Sequence, residues 1–290
     1  MLETKPDALR VQMQRDTAFA LSDLITTLAV VLILIILQLP SAATTRGKGR
    51  SASCLNNHRQ LVRAWQLYAD ANGGRLVGNL DGGGGGTLAN SNLTWVLGWF
   101  DFSGGLPAGA STNTRYLTIY SPLAPYLNRQ AAVFKCPADT SLSLGRRGVP
   151  RVRSVSMNGY LGERAGPFTP GYYQFRKISE IIKPNPSQAF VFIDEREDSI
   201  NDGVLSIDMN GHDPIAPGSY TIVDYPADWH NRGANLSFVD GHTETWRWRD
   251  ALTMPAHRPG QLIPLEVASP NNLDVARIQA AASRKVTTGN

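Results

Sequence analysis

The longest uninterrupted apolar pattern in the chain is Phe19 to Leu39, FALSDLITTLAVVLILIILQL, broken only by the acid Asp23. At about 1.5 Å per residue, a helix of this length covers the roughly 30 Å hydrocarbon core of a bilayer, so the pattern predicts a transmembrane helix over residues 19–39. Beyond Pro40 the period of a helix resumes: Cys54, Leu61, Trp65 and Tyr68 align on one apolar stripe, while Arg59, Arg63 and Asp70 face away. Gly47 and Gly49 weaken this extension over 40–74, and Asn72-Gly73-Gly74 ends it.

The remaining pattern is that of strands. Gly82 to Gly86 reads as a flexible loop, and Leu93 to Phe102 as a strand in which Trp95 and Trp99 fill core space. Ala132 to Lys135 reads as a short strand that Pro137 terminates, Arg151 to Asn158 alternates, and Ala189 to Ile193 is a continuous apolar run suited to a buried central strand. Asn235 to Trp246 predicts a β-hairpin with Asp240-Gly241 as a two-residue turn. A last helix is expected from Asn272 to about Ser283, capped by Asn271. Helices set against a sheet make an α+β domain spanning residues 75–268, with the C-terminal helix and tail over 269–290.

Composition refines this little. The 290 residues carry 28 Lys and Arg against 24 Asp and Glu, a net charge of +4. The basic residues concentrate only between Arg46 and Arg63, where a solvated helix face explains them, so no nucleic-acid partner is indicated. Lys5, Arg10 and Arg15 precede the apolar run, whereas Arg46, Lys48, Arg50, Arg59 and Arg63 follow it, which by the positive-inside rule would hold the larger part in the cytoplasm. The two cysteines, Cys54 and Cys136, favour the opposite placement in an oxidising compartment. They predict a disulfide tying helix to sheet across a loop of about 80 residues, with two buried free thiols as the alternative.

Ala18-Phe19, with Leu21, an acid at Asp23 and a helix-kinking Pro40, resembles the prepilin leader of type IV pilins and type II secretion pseudopilins. His230, followed by nine residues and Asp240-Gly241, resembles the H-x9-DG domain of large prepilin-like proteins. Ser53 to Asn57, Tyr68 to Asp70, Cys136 to Asp139, Arg153-Ser154, Ser156 to Asn158 and Asp194 to Arg196 fit the same group. The resemblance implies a pilin-like fold in which a long N-terminal transmembrane helix packs on an antiparallel head. It further implies a cytoplasmic leader, residues 1–18, cut before Phe19 by a prepilin peptidase. Docking through Asp23 to other pilin-like subunits or secretion machinery, contact with inner-membrane lipids and an exported C-terminal domain also follow.

Candidate chemistry is sparse. As ends of one strand, His230 and Asp240 would lie roughly 30 Å apart, too far to share a ligand, so both read as structural together with Gly241. The acidic loop bearing Asp194, Glu195, Asp198 and Asp202 offers the oxygen ligands of a hard cation such as calcium, but it lacks EF-hand spacing and reads more readily as a solvated loop with Glu195 paired to an arginine. Nucleophile-elbow, P-loop, dinucleotide and paired-cysteine zinc motifs are missing, so no catalytic residue or other cofactor is expected. Two alternatives remain. Trp99, Trp229 or Tyr172-Tyr173 would serve a surface glycan-binding or adhesion module, and convergence of His230 with Asp194, Glu195 and Asp202 would favour a metal-dependent exported enzyme.

Overall fold

The structure is a computed structural model that describes residues 21–163 and 168–286, with the side chains of 36–46 left aside. Ala18 and Phe19 lie outside the described residues. Two compact units divide the chain, Met1–Arg46 and Gly47–Asn290. Helix α1 (Leu21–Ala71) contributes to both.

In the first unit, the large apolar side chains from Leu21 to Ile35 are all exposed. This segment corrects the expected architecture. Among the described residues no helix is long and apolar enough to cross a membrane. Ser22, Asp23, Thr26 and Thr27 dilute the early turns, and the Thr26 hydroxyl turns back to the Ser22 carbonyl at 2.9 Å.

The second unit is an α+β domain. Its strands are β1 (Leu142–Leu144), β2 (Arg147–Pro150), β3 (Val155–Asn158), β4 (Phe190–Asp194), β5 (Val204–Leu205), β6 (Thr221–Ile222), β7 (Gly233–Phe238), β8 (Thr243–Arg247) and β9 (Val267–Ala268). Five form the central sheet in the order β5-β3-β4-β7-β8. The sheet is mixed rather than antiparallel, because β5 runs parallel to β3. Three further helices are α2 (Gly82–Gly85), α3 (Arg115–Thr118) and α4 (Leu273–Ala282).

Helices cover the sheet from both sides. Leu61, Val62, Trp65 and Ala69 of α1 pack with Val155, Met157, Val191 and Phe192. On the other face, Ile278, Ala281 and Ala282 of α4 pack with Ile193, Ala234, Leu236 and Trp246. Burying each large side chain contributes about 1.5–3 kcal/mol, so the α1 stripe is a main fastening of helix to sheet. Asn272, not Asn271, caps α4, accepting from the N–H groups of Asp274 and Val275.

Other local expectations shift for identifiable reasons. Leu93 to Phe102 is an irregular segment buried from Thr94 to Gly98 and at Phe100, bent at Gly98 (φ +133°) and held by Trp95 N–H to the Gly78 carbonyl at 2.7 Å and Phe100 N–H to the Asn201 carbonyl at 2.5 Å. Ala131–Phe134 is a 3-10 turn rather than a strand. The glycine run forms the single helical turn α2, with Asp202 accepting from the Gly82 N–H at 2.7 Å. In the β7–β8 hairpin the Gly241 N–H bonds the Phe238 carbonyl at 2.9 Å, and only Gly241 (φ +94°) of the Asp-Gly pair has positive φ. This is a three-residue loop with its glycine in the left-handed region, not the two-residue turn the dipeptide suggests.

Candidate metal centre

Four separate segments bring one polar cluster into the domain core. On α1, Cys54 and His58 stand four residues apart, and therefore on one helix face, one turn before Leu61 and Trp65. Asp194 is the last residue of β4, and alternation along the strand sends it to the same side of the sheet as Phe192, which packs in the α1 cluster. Cys136 follows the 3-10 turn, where its backbone N–H donates to the Ser154 hydroxyl at 2.9 Å. His230 lies in the loop entering β7, its N–H bonded to the Gly233 carbonyl at 3.0 Å. A Cβ on Gly233 would fall 2.2 Å from the Trp246 carbonyl oxygen, so only glycine lets the loop and β8 approach this closely.

Cys54, His58, Cys136 and Asp194 have no solvent exposure, and His230 is 5% exposed. Asp194 is the hub. Its Oδ1 lies 3.1 Å from His58 Nε2 and its Oδ2 lies 3.3 Å from His230 Nε2. The Cys54 thiol is 3.2 Å from both carboxylate oxygens, and the Asn235 N–H donates to Oδ2 at 3.1 Å. His230 Nε2 also meets the Cys136 sulfur at 3.1 Å, and the Ala138 N–H points to that sulfur at 3.4 Å.

Burial alone would raise the Asp194 carboxyl, but the positive charge and hydrogen bonds of His58 and His230 outweigh it and hold the group well below the usual carboxylate range. Burial opposes protonation of His230, yet its bonds to Asp194 and Cys136 push its pKa up to about 9. Burial pushes the Cys54 thiol up, whereas hydrogen bonding from Cys54 draws the Cys136 thiol down, with His230 adding to the effect. The result is a carboxylate, a thiol drawn down and a protonated imidazole in mutual contact, which on loss of the imidazole proton to an entering ion is a donor set suited to a borderline-soft cation.

The residues singled out in the sequence fall in different places. Cys54 and Cys136 meet as expected, but as free thiols rather than a bridge. His230 joins their cluster, while Asp240 and Gly241 mark the far end of β7, where Gln66 Nε2 of α1 donates to the Val239 carbonyl at 2.9 Å. The H-x9-DG spacing thus sets two anchor points for α1, one through Cys54 and His58 and one through Gln66.

The acidic loop is not one site. Only Asp194 enters the cluster. Glu195, on the opposite side of the strand, accepts from the Ser199 hydroxyl at 2.7 Å; Asp198 forks onto Arg196 at 2.5 and 2.9 Å; Asp202 accepts the N–H groups of Gly82 and Val204. Calcium therefore loses its expected ligand set. Asp23 sits in the first turn of α1, where its carbonyl accepts from the Thr26 hydroxyl at 3.1 Å. Trp99, Trp229 and Tyr173 are half-buried and Tyr172 is buried.

Sequence reasoning missed His58. Its signal was Cys54-x3-His58 on a predicted helix, a spacing that presents sulfur and imidazole on one face. Comparison of the chain with protein-family models, with curated proteins and with solved structures finds no match in any of the three.

Proposed function

We propose that the chain is a non-enzymatic, pilin-like structural subunit, whose exported α+β domain is displayed by assembly of the N-terminal part of α1 with other pilin-like subunits. The observation that carries this reading is the exposure of every large apolar side chain from Leu21 to Ile35, including Leu21 at 73% and Leu28 and Leu32 at 60%. A helix apolar on all sides is stable in water only when something covers it. Helices of the same kind from neighbouring subunits provide that cover. The prepilin-like Ala18-Phe19 junction supports the reading, since cleavage there would place Asp23 at the fifth position of the mature helix, in reach of a neighbour's terminal amine.

Photo-crosslinking from Leu28 and Leu32 in producing cells, with mass spectrometry of the mature N-terminus, tests this. The expected result is adducts with a second pilin-like chain and a mature protein beginning at Phe19. An intact Met1 together with adducts only to unrelated proteins overturns it.

A further inference from the structure

We propose that Cys54, Cys136, His230 and Asp194 are the four ligands of a structural zinc site that fastens helix α1 to the central sheet. The Sγ atoms of both cysteines, Nε2 of His230 and a carboxylate oxygen of Asp194 all lie within 4.8 Å of one another. Around an ion with bonds of about 2.0–2.3 Å, tetrahedral geometry sets neighbouring donors roughly 3.3–3.8 Å apart. The observed contacts of 3.1 Å from sulfur to imidazole, 3.2 Å from sulfur to carboxylate and 3.3 Å from imidazole to carboxylate need shifts of only tenths of an ångström.

The donor chemistry selects the ion. Two sulfurs, one imidazole nitrogen and one carboxylate oxygen suit zinc and repel hard cations such as calcium or magnesium, which take oxygen shells. The ligands arrive from α1, the segment after the 3-10 turn, the end of β4 and the loop entering β7, so one ion would join parts of the chain as far apart as Cys54 and His230, 176 residues along the sequence. With every donor buried, four protein ligands close the shell, which is the arrangement of a structural rather than a catalytic ion. The surroundings are those of an ion site too. His58 fixes one oxygen of Asp194 and leaves the other turned to His230, while the Ala138 N–H supports the Cys136 sulfur.

Zinc and cobalt loading of the purified full chain decides the matter, independently of whether the chain assembles. Wild-type protein, reduced and then freed of reductant and metal, should take up about one equivalent of zinc. With cobalt it should show thiolate charge-transfer absorption and the intense visible bands of four-coordinate cobalt. Cys136→Ser should weaken the charge-transfer band, and His230→Gln should keep it while shifting the visible bands. Because these variants can misfold, the deciding readout is on wild type: the same cobalt spectrum must vanish with zinc in slight excess. Wild-type chain that stays reduced and binds neither ion overturns the site. So does cobalt bound without thiolate absorption, or protein isolated from zinc-replete cells with an intramolecular Cys54–Cys136 bridge and no metal.

Discussion

His58 Nε2 and Asp194 Oδ1 stand 3.1 Å apart although 136 residues separate them, and both are fully buried. The contact joins the second turn of the α1 stripe to the end of the central strand. Breaking a buried pair by removing one partner leaves an uncompensated polar group in the core, which costs about 3–5 kcal/mol. Asp194→Ala should therefore lower stability by at least about 3 kcal/mol in urea titrations with chelator present. A double-mutant cycle with His58→Ala should show coupling of about 1 kcal/mol or more. Additive effects would mean that the two side chains are neighbours without interaction.

Much of the domain was legible in its apolar pattern, and the site was not. Ala189 to Ile193, the Asn235 hairpin and the Leu61-Trp65 stripe announce themselves by period, because burial on one or both faces dictates residue type locally. The cluster has no such period. Cys54, Cys136, Asp194 and His230 come from four elements, and only the sheet order β3-β4-β7 together with the α1 packing makes them neighbours. The Leu93 to Phe102 run misled for a related reason. Its aromatics are core residues, as Trp95 at 0% exposure shows, but its backbone finds partners such as Gly78 and Asn201 outside any ladder. The apolar N-terminal run predicted a spanning helix by its length, whereas among the described residues no helix is long and apolar enough to cross a membrane.

The turn at the end of β7 is set by Gly241, whose φ is +94°. A Cβ there would meet nothing closer than Gln66 Nε2 at 3.4 Å, so substitution is limited by conformation rather than by space. Gly241→Ala should cost about 1–2 kcal/mol, and Gly241→Asn less, because Asn tolerates the left-handed region. Thermal unfolding of the two variants checks the order; equal losses would point to a steric cause instead.

Arg153 is fully buried, with its guanidinium on the carbonyls of Val155, Asp202 and Gly98 at 3.1, 2.7 and 3.4 Å and stacked over Phe100 at 4.5 Å. A lysine ammonium is a point charge that cannot lie flat on the ring and reach all three oxygens. Arg153→Lys should destabilise by about 2 kcal/mol, from carbonyls left unpaired in the core. Unchanged urea midpoints would show that fewer than three of these bonds matter.

His257 bridges Asp228 at 3.0 Å and Glu197 at 3.2 Å. Its hydrogen bonds to these two carboxylates push its pKa up to about 10. A folded-state pKa above the ordinary histidine value of about 6.5 means that its contribution is complete below pH 6.5 and is lost as pH rises through about 10. Partial exposure of the pair screens the effect and keeps it small. Between pH 6 and pH 10 the urea midpoint of His257→Gln should fall less than that of wild type. Parallel decreases would assign the pH dependence to other groups.

The exposed apolar side chains of α1 separate assembly from folding. Leu28 and Leu32 are each 60% exposed, so replacing them removes little buried surface from the chain itself. If neighbouring subunits cover this helix, a carboxylate at either position would be desolvated in the assembled state without a partner, at a cost of several kcal/mol per subunit. Leu28→Asp and Leu32→Asp should each abolish cross-linking to other pilin-like chains. The unfolding free energy of the Gly47–Asn290 domain, from urea titration, should stay within about 0.5 kcal/mol of wild type, as for surface substitutions in general. Arg59→Glu, on the opposite, solvated face of the later part of α1, serves as the control and should leave assembly intact. If Leu28→Asp assembles as well as wild type, the exposed apolar run has another purpose and the subunit reading fails at its central observation.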